Sequence, residues 1–166
     1  MKFGKPILRL HPPILFRRNT VAVGNESNAT DSIYKNYDRG NLPVLIDLSG
    51  LVRDNSYKRA ALWTGENIQL TVMEIPVGGE IGLENHKDTE QLIGIESGTA
   101  EVLMGKEPEN LKSYGIATRG YATIVPKDTW HNVKNVGRTP LKLYSVYSPP
   151  HHPYGTLEKA SSGQED

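Results

Sequence analysis

The chain has no cysteine, which excludes disulfides, thiolate nucleophiles and cysteine-based zinc sites. The same absence fits a reducing cytoplasm, which is the expected location. Charge of one sign is lacking too: 19 Lys and Arg balance 19 Asp and Glu, leaving a net charge of zero. Nucleic-acid and membrane-surface binders usually carry a basic excess, so a small-molecule ligand is the expected partner rather than either of these. No apolar run approaches the roughly 18 residues of a membrane span. Pro6, Arg9, His11, Pro12 and Pro13 interrupt the N-terminus, so no secretory signal is expected. The triplets Asn25-Glu26-Ser27 and Asn28-Ala29-Thr30 match a glycosylation pattern but read as chance matches in a polar loop. Also absent is any helical pattern of about 10 to 15 residues alternating with strands, which argues against a parallel α/β sheet.

What remains is a chain of 166 residues, long enough for one domain with a real core. Residues 1–40 read as an extended arm followed by a loop, because Pro6, Pro12 and Pro13 forbid a long helix and 24–32 is a polar cluster. The first 18 residues hold Lys2, Lys5, Arg9, Arg17 and Arg18 with no acid, which reads as a solvated or loosely docked arm. Ile33 to Tyr37 is a candidate turn of helix. Residues 41–155 read as a β-barrel, and 156–166 as a polar tail that frays.

The strand pattern is dense. Ile68 to Ile75 is rich in β-branched and apolar types and stops at Pro76, Gly78 and Gly79. Similar runs span Gln91 to Ile95, Ala100 to Met104, Tyr121 to Val125 and Leu141 to Tyr147, with Gly and Pro turns between them. Glu107 to Tyr114 is a candidate helical turn. Short strands at this spacing predict an all-β sandwich or barrel.

Period-two alternation assigns faces. With Glu74 outward, Gln69, Thr71, Met73 and Ile75 point inward. Glu90 and Glu96 outward place Gln91, Ile93 and Ile95 inside. Glu101 outward does the same for Ala100, Val102 and Met104. Lys142 facing water puts Leu141, Leu143, Ser145 and Tyr147 on the inner face. Thr71, Met73, Ile93, Met104 and Tyr147 are therefore the candidate pocket lining. Trp63 and Tyr144 join them as aromatic candidates, although a barrel core needs such residues for packing alone.

Chemistry concentrates in two places. Glu84 and His86 are two apart, so on an extended chain they share a face, and Gln91 points inward on the next strand. Far along the chain, His131 follows the tight turn Pro126-Lys127-Asp128. Two imidazoles, one carboxylate and one amide oxygen make a ligand set for one borderline divalent ion, with Zn, Fe, Mn and Ni all open. Gln91 has a second reading, orienting a water beside the ion. A buried Gln needs one such justification. Glu90, its neighbour, points the other way. His151 and His152, in a Pro-rich segment at the barrel edge, read as surface residues, with a role over the site mouth as the second reading. Lys106, Arg119 and Lys127 are candidates to grip a phosphate or carboxylate.

These positions resemble the two motifs of the cupin superfamily, Gly-x5-His-x-His-x4-Glu-x6-Gly and Gly-x5-Pro-x-Gly-x2-His-x3-Asn. Gly78, Glu84, His86, Gln91 and Gly98 stand at the anchors of the first, and Gly120, Pro126, Asp128, His131 and Asn135 at those of the second, without a gap. Glu84 stands for a His, Gln91 for the Glu and Asp128 for a Gly. A carboxylate lost at one ligand position is regained at another, so the formal ligand charge is unchanged. The set is similar to the Gln, His, Glu, His zinc set of phosphomannose isomerases. The stretch from Leu141 to Pro150, with His152-Pro153, resembles small bacterial cupins of the mannose-6-phosphate-isomerase-like type.

The resemblance implies a single jelly-roll (double-stranded β-helix) barrel holding one metal ion. It also implies a homodimer formed through edge strands or arms. Three functions follow as expectations. The first is a metal-dependent isomerase or epimerase of a sugar or other polar carbonyl compound, with Glu84 as the catalytic proton shuttle. The second is a non-haem iron or manganese dioxygenase on Glu84, His86 and His131. The third is a ligand-binding or structural barrel without catalysis.

Overall fold

The computed structural model describes residues 38–159. The basic arm, the polar loop and the Ile33–Tyr37 turn lie outside the described residues, as does the end of the tail.

Nine strands and one short helix are present among the described residues. In chain order they are α1 (Leu48–Asp54), β1 (Arg59–Thr64), β2 (Gln69–Ile75), β3 (Glu90–Ser97), β4 (Ala100–Gly105), β5 (Lys112–Ala117), β6 (Ala122–Val125), β7 (Trp130–Asn135), β8 (Leu141–Ser148) and β9 (Leu157–Glu158). They form a six-stranded sheet, β6-β3-β8-β2-β1-β9, facing a three-stranded sheet, β5-β4-β7. Each pairing is antiparallel. The arrangement is the expected all-β jelly roll.

β8 is the spine of the larger sheet. It pairs with β2 in unbroken register from Gln69↔Tyr147 to Ile75↔Leu141, and on its other side with β3 through Gln91↔Tyr147 and Ile93↔Ser145. The alternation holds: Leu141, Leu143, Ser145 and Tyr147 are all fully buried. The core joins the two sheets, with Met73, Ile75, Ile93, Ile95, Leu141 and Leu143 from the larger meeting Ala100, Val102, Met104, Ala117 and Val133 from the smaller.

The outer face of the larger sheet departs from the expectation. α1 is capped by Asp47, whose carboxylate accepts from Gly50 N at 3.0 Å. It packs Val52, Leu48 and Leu51 against Tyr57, Ala60, Leu62, Val72 and Tyr144 in a second apolar cluster. Lys142 therefore does not face open water. Its ammonium is covered beside α1 and donates to the Asn55 carbonyl and to Glu74. Tyr144 belongs to this outer layer, and Trp63 donates from Nε1 to the Leu42 carbonyl at 2.9 Å. Neither lines the barrel interior.

Glu107 to Tyr114 is not a helical turn. A tight turn closes where Asn110 N donates to Glu107 O at 3.1 Å, and β5 begins at Lys112. The segment has no apolar stripe at helical spacing, whereas pairing with β4 satisfies its backbone.

The motif anchors are mostly structural. Asp128 adopts a positive φ of 55°, the conformation that Gly supplies in the family pattern and Asp tolerates. Gly98 has φ 92°, and a Cβ there would sit 2.9 Å from the Leu141 Cα, so a side chain is excluded on two counts. Asn135 is 3% exposed. Its Nδ2 reaches the carbonyls of Ile75, Pro76 and Thr139 at 2.9–3.1 Å, and its Oδ1 accepts from Gly137 N at 3.0 Å.

Candidate metal centre

The backbone brings Glu84 and His131 together before any side chain is considered. Glu84 N donates to His131 O at 3.0 Å and His131 N to Glu84 O at 2.9 Å. This isolated bridge stitches the β2–β3 connection to β7 and sets the two side chains opposite each other. His86, two residues beyond Glu84, takes the same face, and its carbonyl accepts from Asp128 N at 2.7 Å. The tight turn made by Asp128 thus holds His86 as well as leading into His131.

The donor atoms converge. Glu84 Oε2 lies 3.5 Å from His86 Nε2 and 3.8 Å from His131 Nε2. Candidate ligand atoms of all three residues fall within 4.8 Å of one another. Donors about 2.1 Å from a common ion and at a tetrahedral angle would be about 3.4 Å apart, close to the 3.5 and 3.8 Å separations from Glu84 to the two imidazoles.

Protonation states fit as well. His131 Nδ1 lies 2.9 Å from the Thr129 carbonyl, which only accepts, so Nδ1 carries the proton and Nε2 presents a lone pair. Burial foremost pushes the His131 pKa down, favouring the neutral ring. Burial acts to raise the Glu84 pKa, but the contact with His86 and the charge of Arg59 outweigh it and bring it to about 2. The carboxylate is therefore ionised.

Glu84 Oε2, His86 Nε2, His131 Nε2 and Gln91 Oε1 are all buried without a hydrogen-bond partner. Orphaned buried polar atoms are costly, and a divalent cation would satisfy the three that converge, those of Glu84, His86 and His131, together. Gln91 is 2% exposed, and its Nε2 donates to Ser145 Oγ at 3.1 Å, leaving the amide oxygen free. Glu84, His86 and His131 fit one divalent ion.

The candidate lining residues Thr71, Met73, Ile93, Met104 and Tyr147 are all buried. Met104 is the register partner of His131, and the Tyr147 ring is 5.9 Å from that of His86. Met73, Ile93 and Met104 also belong to the main core.

Three residues near the triad went unread or misread in the sequence. Arg59, at the start of β1, is 5% exposed and donates from Nη2 to Glu84 Oε1 at 3.1 Å. Its Nη1 reaches both oxygens of Glu158 at 3.1 and 3.2 Å. An arginine inside an otherwise apolar strand was the available signal. Lys106 and Lys127 are exposed and Arg119 pairs with Glu96 at 3.4 Å, whereas Arg59 contacts the triad directly.

His151 and His152 are not detached surface residues. The His151 ring centre lies 3.9 Å from that of His86, although His151 itself is exposed. The His152 ring stands edge-on to Tyr147 at 5.0 Å, and burial, followed by the charge of Arg59, lowers its pKa to about 4. Gln69 anchors this segment in both directions, donating to His152 O at 2.8 Å and accepting from His152 N at 2.9 Å.

Comparison with known proteins agrees with this architecture. A family model described as Cupin domain matches residues 71–147. The chain is 42% identical over 125 residues to the uncharacterized protein YrkC of Bacillus subtilis, covering 75% of this chain and 67% of that one. It is 38% identical over 105 residues to protein L612 of Acanthamoeba polyphaga mimivirus, where the match takes in 63% of this chain and 64% of the relative, just under two thirds. Among solved structures, the crystal structure of BH2720 from Bacillus halodurans is 42% identical with a TM-score of 0.73, covering 74% of this chain and 93% of that one. With the barrel, the motif anchors and these relatives in agreement, the chain belongs to the cupin family.

Proposed function

We propose that this cupin holds one divalent metal ion through Glu84 Oε2, His86 Nε2 and His131 Nε2, with Gln91 Oε1 as a weaker fourth contact, and isomerises or epimerises a sugar or other polar carbonyl compound. The observation that carries the metal assignment is the convergence of buried acceptors that have no other partner. Bound there, the ion supplies Lewis-acid polarisation of carbonyl and hydroxyl oxygens.

The protein's own residues do the rest. Thr129 holds His131 in the tautomer that leaves Nε2 free. Ser145 turns the Gln91 amide so that its oxygen is the available end. Thr71, Met73, Ile93, Met104 and Tyr147 exclude water from the ligand's apolar side. Glu84 is the proton shuttle of that reaction, and a pKa of about 2 keeps its carboxylate ionised, the form that accepts a proton.

One observation favours a second reading. Two His and one carboxylate with positions left open is the set used by non-haem iron oxygenases, and the triad has that composition. Metal analysis of protein purified without added ions separates the two. Zinc supports the isomerase reading, and iron or manganese with oxygen consumption on the iron(II) form supports the oxygenase. If Glu84→Ala and His86→Ala lose the metal and melt much earlier, yet no substrate class turns over, the metal is structural.

The partner we propose besides a small molecule is a second copy of the chain. Edge strands β5 and β6 carry the exposed apolar residues Tyr114, Ile116 and Ile124; a monomer by light scattering would remove that proposal. The division into an arm (1–40), a barrel (41–155) and a tail (156–166) is part of the same reading, with β9 attaching the tail to the barrel.

A further inference from the structure

Resting on that metal site, we infer that Arg59 is a positioning residue that keeps Glu84 a one-oxygen ligand and so preserves an open coordination position for an exogenous ligand. The two carboxylate oxygens of Glu84 have separate tasks. Oε1 accepts from Arg59 Nη2 at 3.1 Å, whereas Oε2 faces the two imidazoles at 3.5 and 3.8 Å. A carboxylate with neither oxygen engaged is free to chelate, and chelation by Glu84 would use up a position that a small molecule needs. The guanidinium prevents this by occupying the first oxygen.

Arg59 is built to stay in place. Its side chain is 6% exposed, and it is the register partner of Glu158 across β1 and β9. Glu158 grips Nη1 with both oxygens at 3.1 and 3.2 Å, leaving Nη2 aimed at Glu84. A planar fork with fixed donors suits this bridging, and a flexible ammonium would not reproduce it. The pair also lies outside residues 71–147, the stretch matched by the family model. The device therefore uses flanking segments of this chain.

A purely structural arginine and a positioning one predict opposite results. Removing Arg59 deletes a positive charge in contact with a metal ligand and frees Oε1, so the metal should bind more tightly, by about tenfold or more. If Arg59 merely supported the fold, its loss would weaken metal binding together with stability.

The test compares the wild type with Arg59→Met, each loaded with cobalt(II). Metal affinity is measured by titration calorimetry, coordination by the visible absorption spectrum, and the open position by azide titration. The inference predicts tighter cobalt binding in Arg59→Met, a weaker visible band as the coordination number rises, and azide affinity reduced at least tenfold. Weaker cobalt binding with unchanged spectrum and azide affinity would overturn it while leaving the metal site standing. Failure of the wild type to bind cobalt would overturn the metal site itself. Should Arg59→Met fail to fold, X-ray analysis of the wild-type cobalt form decides. Glu84 bound through Oε2 alone with Arg59 on Oε1 supports the inference, and a chelating Glu84 refutes it.

Discussion

Replacing Asn135 with Ala should cost this barrel about 3 kcal/mol, although Asn135 touches no candidate ligand. The side chain is 3% exposed and serves four backbone groups, the carbonyls of Ile75, Pro76 and Thr139 and the amide of Gly137. A net hydrogen bond contributes roughly 1 kcal/mol, and an acceptor left buried and unpaired costs more than a bond merely lost. Two N–H groups are shared among three carbonyls, so about three full bonds is the fair count. For a domain of this size, a loss of about 3 kcal/mol lowers the melting temperature by roughly 10 °C. The assay is urea unfolding of the metal-free protein, followed by tryptophan fluorescence, with thermal melting as a second readout. An unchanged m-value with a lower midpoint would show that stability alone has moved. A loss below about 1 kcal/mol would refute the view that this motif position is a structural clamp.

Other perturbations probe the site. In the metal-free protein, Glu84 has a folded pKa of about 2 against an ordinary value of 4.5. Its stabilising contribution is therefore fully present above about pH 4.5 and is lost as pH falls toward about 2, some 3 kcal/mol in all. Glu84→Gln should flatten the acid limb of stability against pH, and an unchanged limb would contradict the stabilisation of the carboxylate by His86 and Arg59. Gln91→Leu leaves Ser145 Oγ without its donor and removes the amide oxygen; metal affinity should fall about tenfold to a hundredfold by calorimetry. Equal affinity would remove Gln91 from the site. Gln69→Leu frees both backbone groups of His152, so amide exchange should accelerate across the β8–β9 connection and little elsewhere.

The parts of the fold legible in the sequence are those where one face is buried and the other wet. β4 alternates between buried and half-buried positions along its whole length, and the inward sides of β2, β3 and β8 could be read by the same rule. The rule blurs where both faces are covered. Val72 and Met73 are adjacent and both buried, because α1 packs on the outer face of β2. Nothing in the alternation announces that helix, whose seven residues are too few to show a period. β5 was unreadable for the converse reason, since five of its six residues are exposed.

At the site, Glu84, His86 and His131 were legible through spacing and motif position. Arg59 and His151 were not, because their closeness depends on how β1 and the segment after β8 fold over the barrel mouth. An arginine heading an apolar strand signals burial at most, and neither it nor a histidine after two prolines names the distant residue it meets.

Metal content probes the Glu84, His86 and His131 site directly. Protein purified without added ions should carry close to one divalent ion per chain by plasma mass spectrometry, and His131→Ala, prepared in parallel, should carry almost none. A wild type that is empty and takes up no zinc, iron, manganese, nickel or cobalt on reconstitution would contradict the account. So would His131→Ala if it retained the same stoichiometry and affinity.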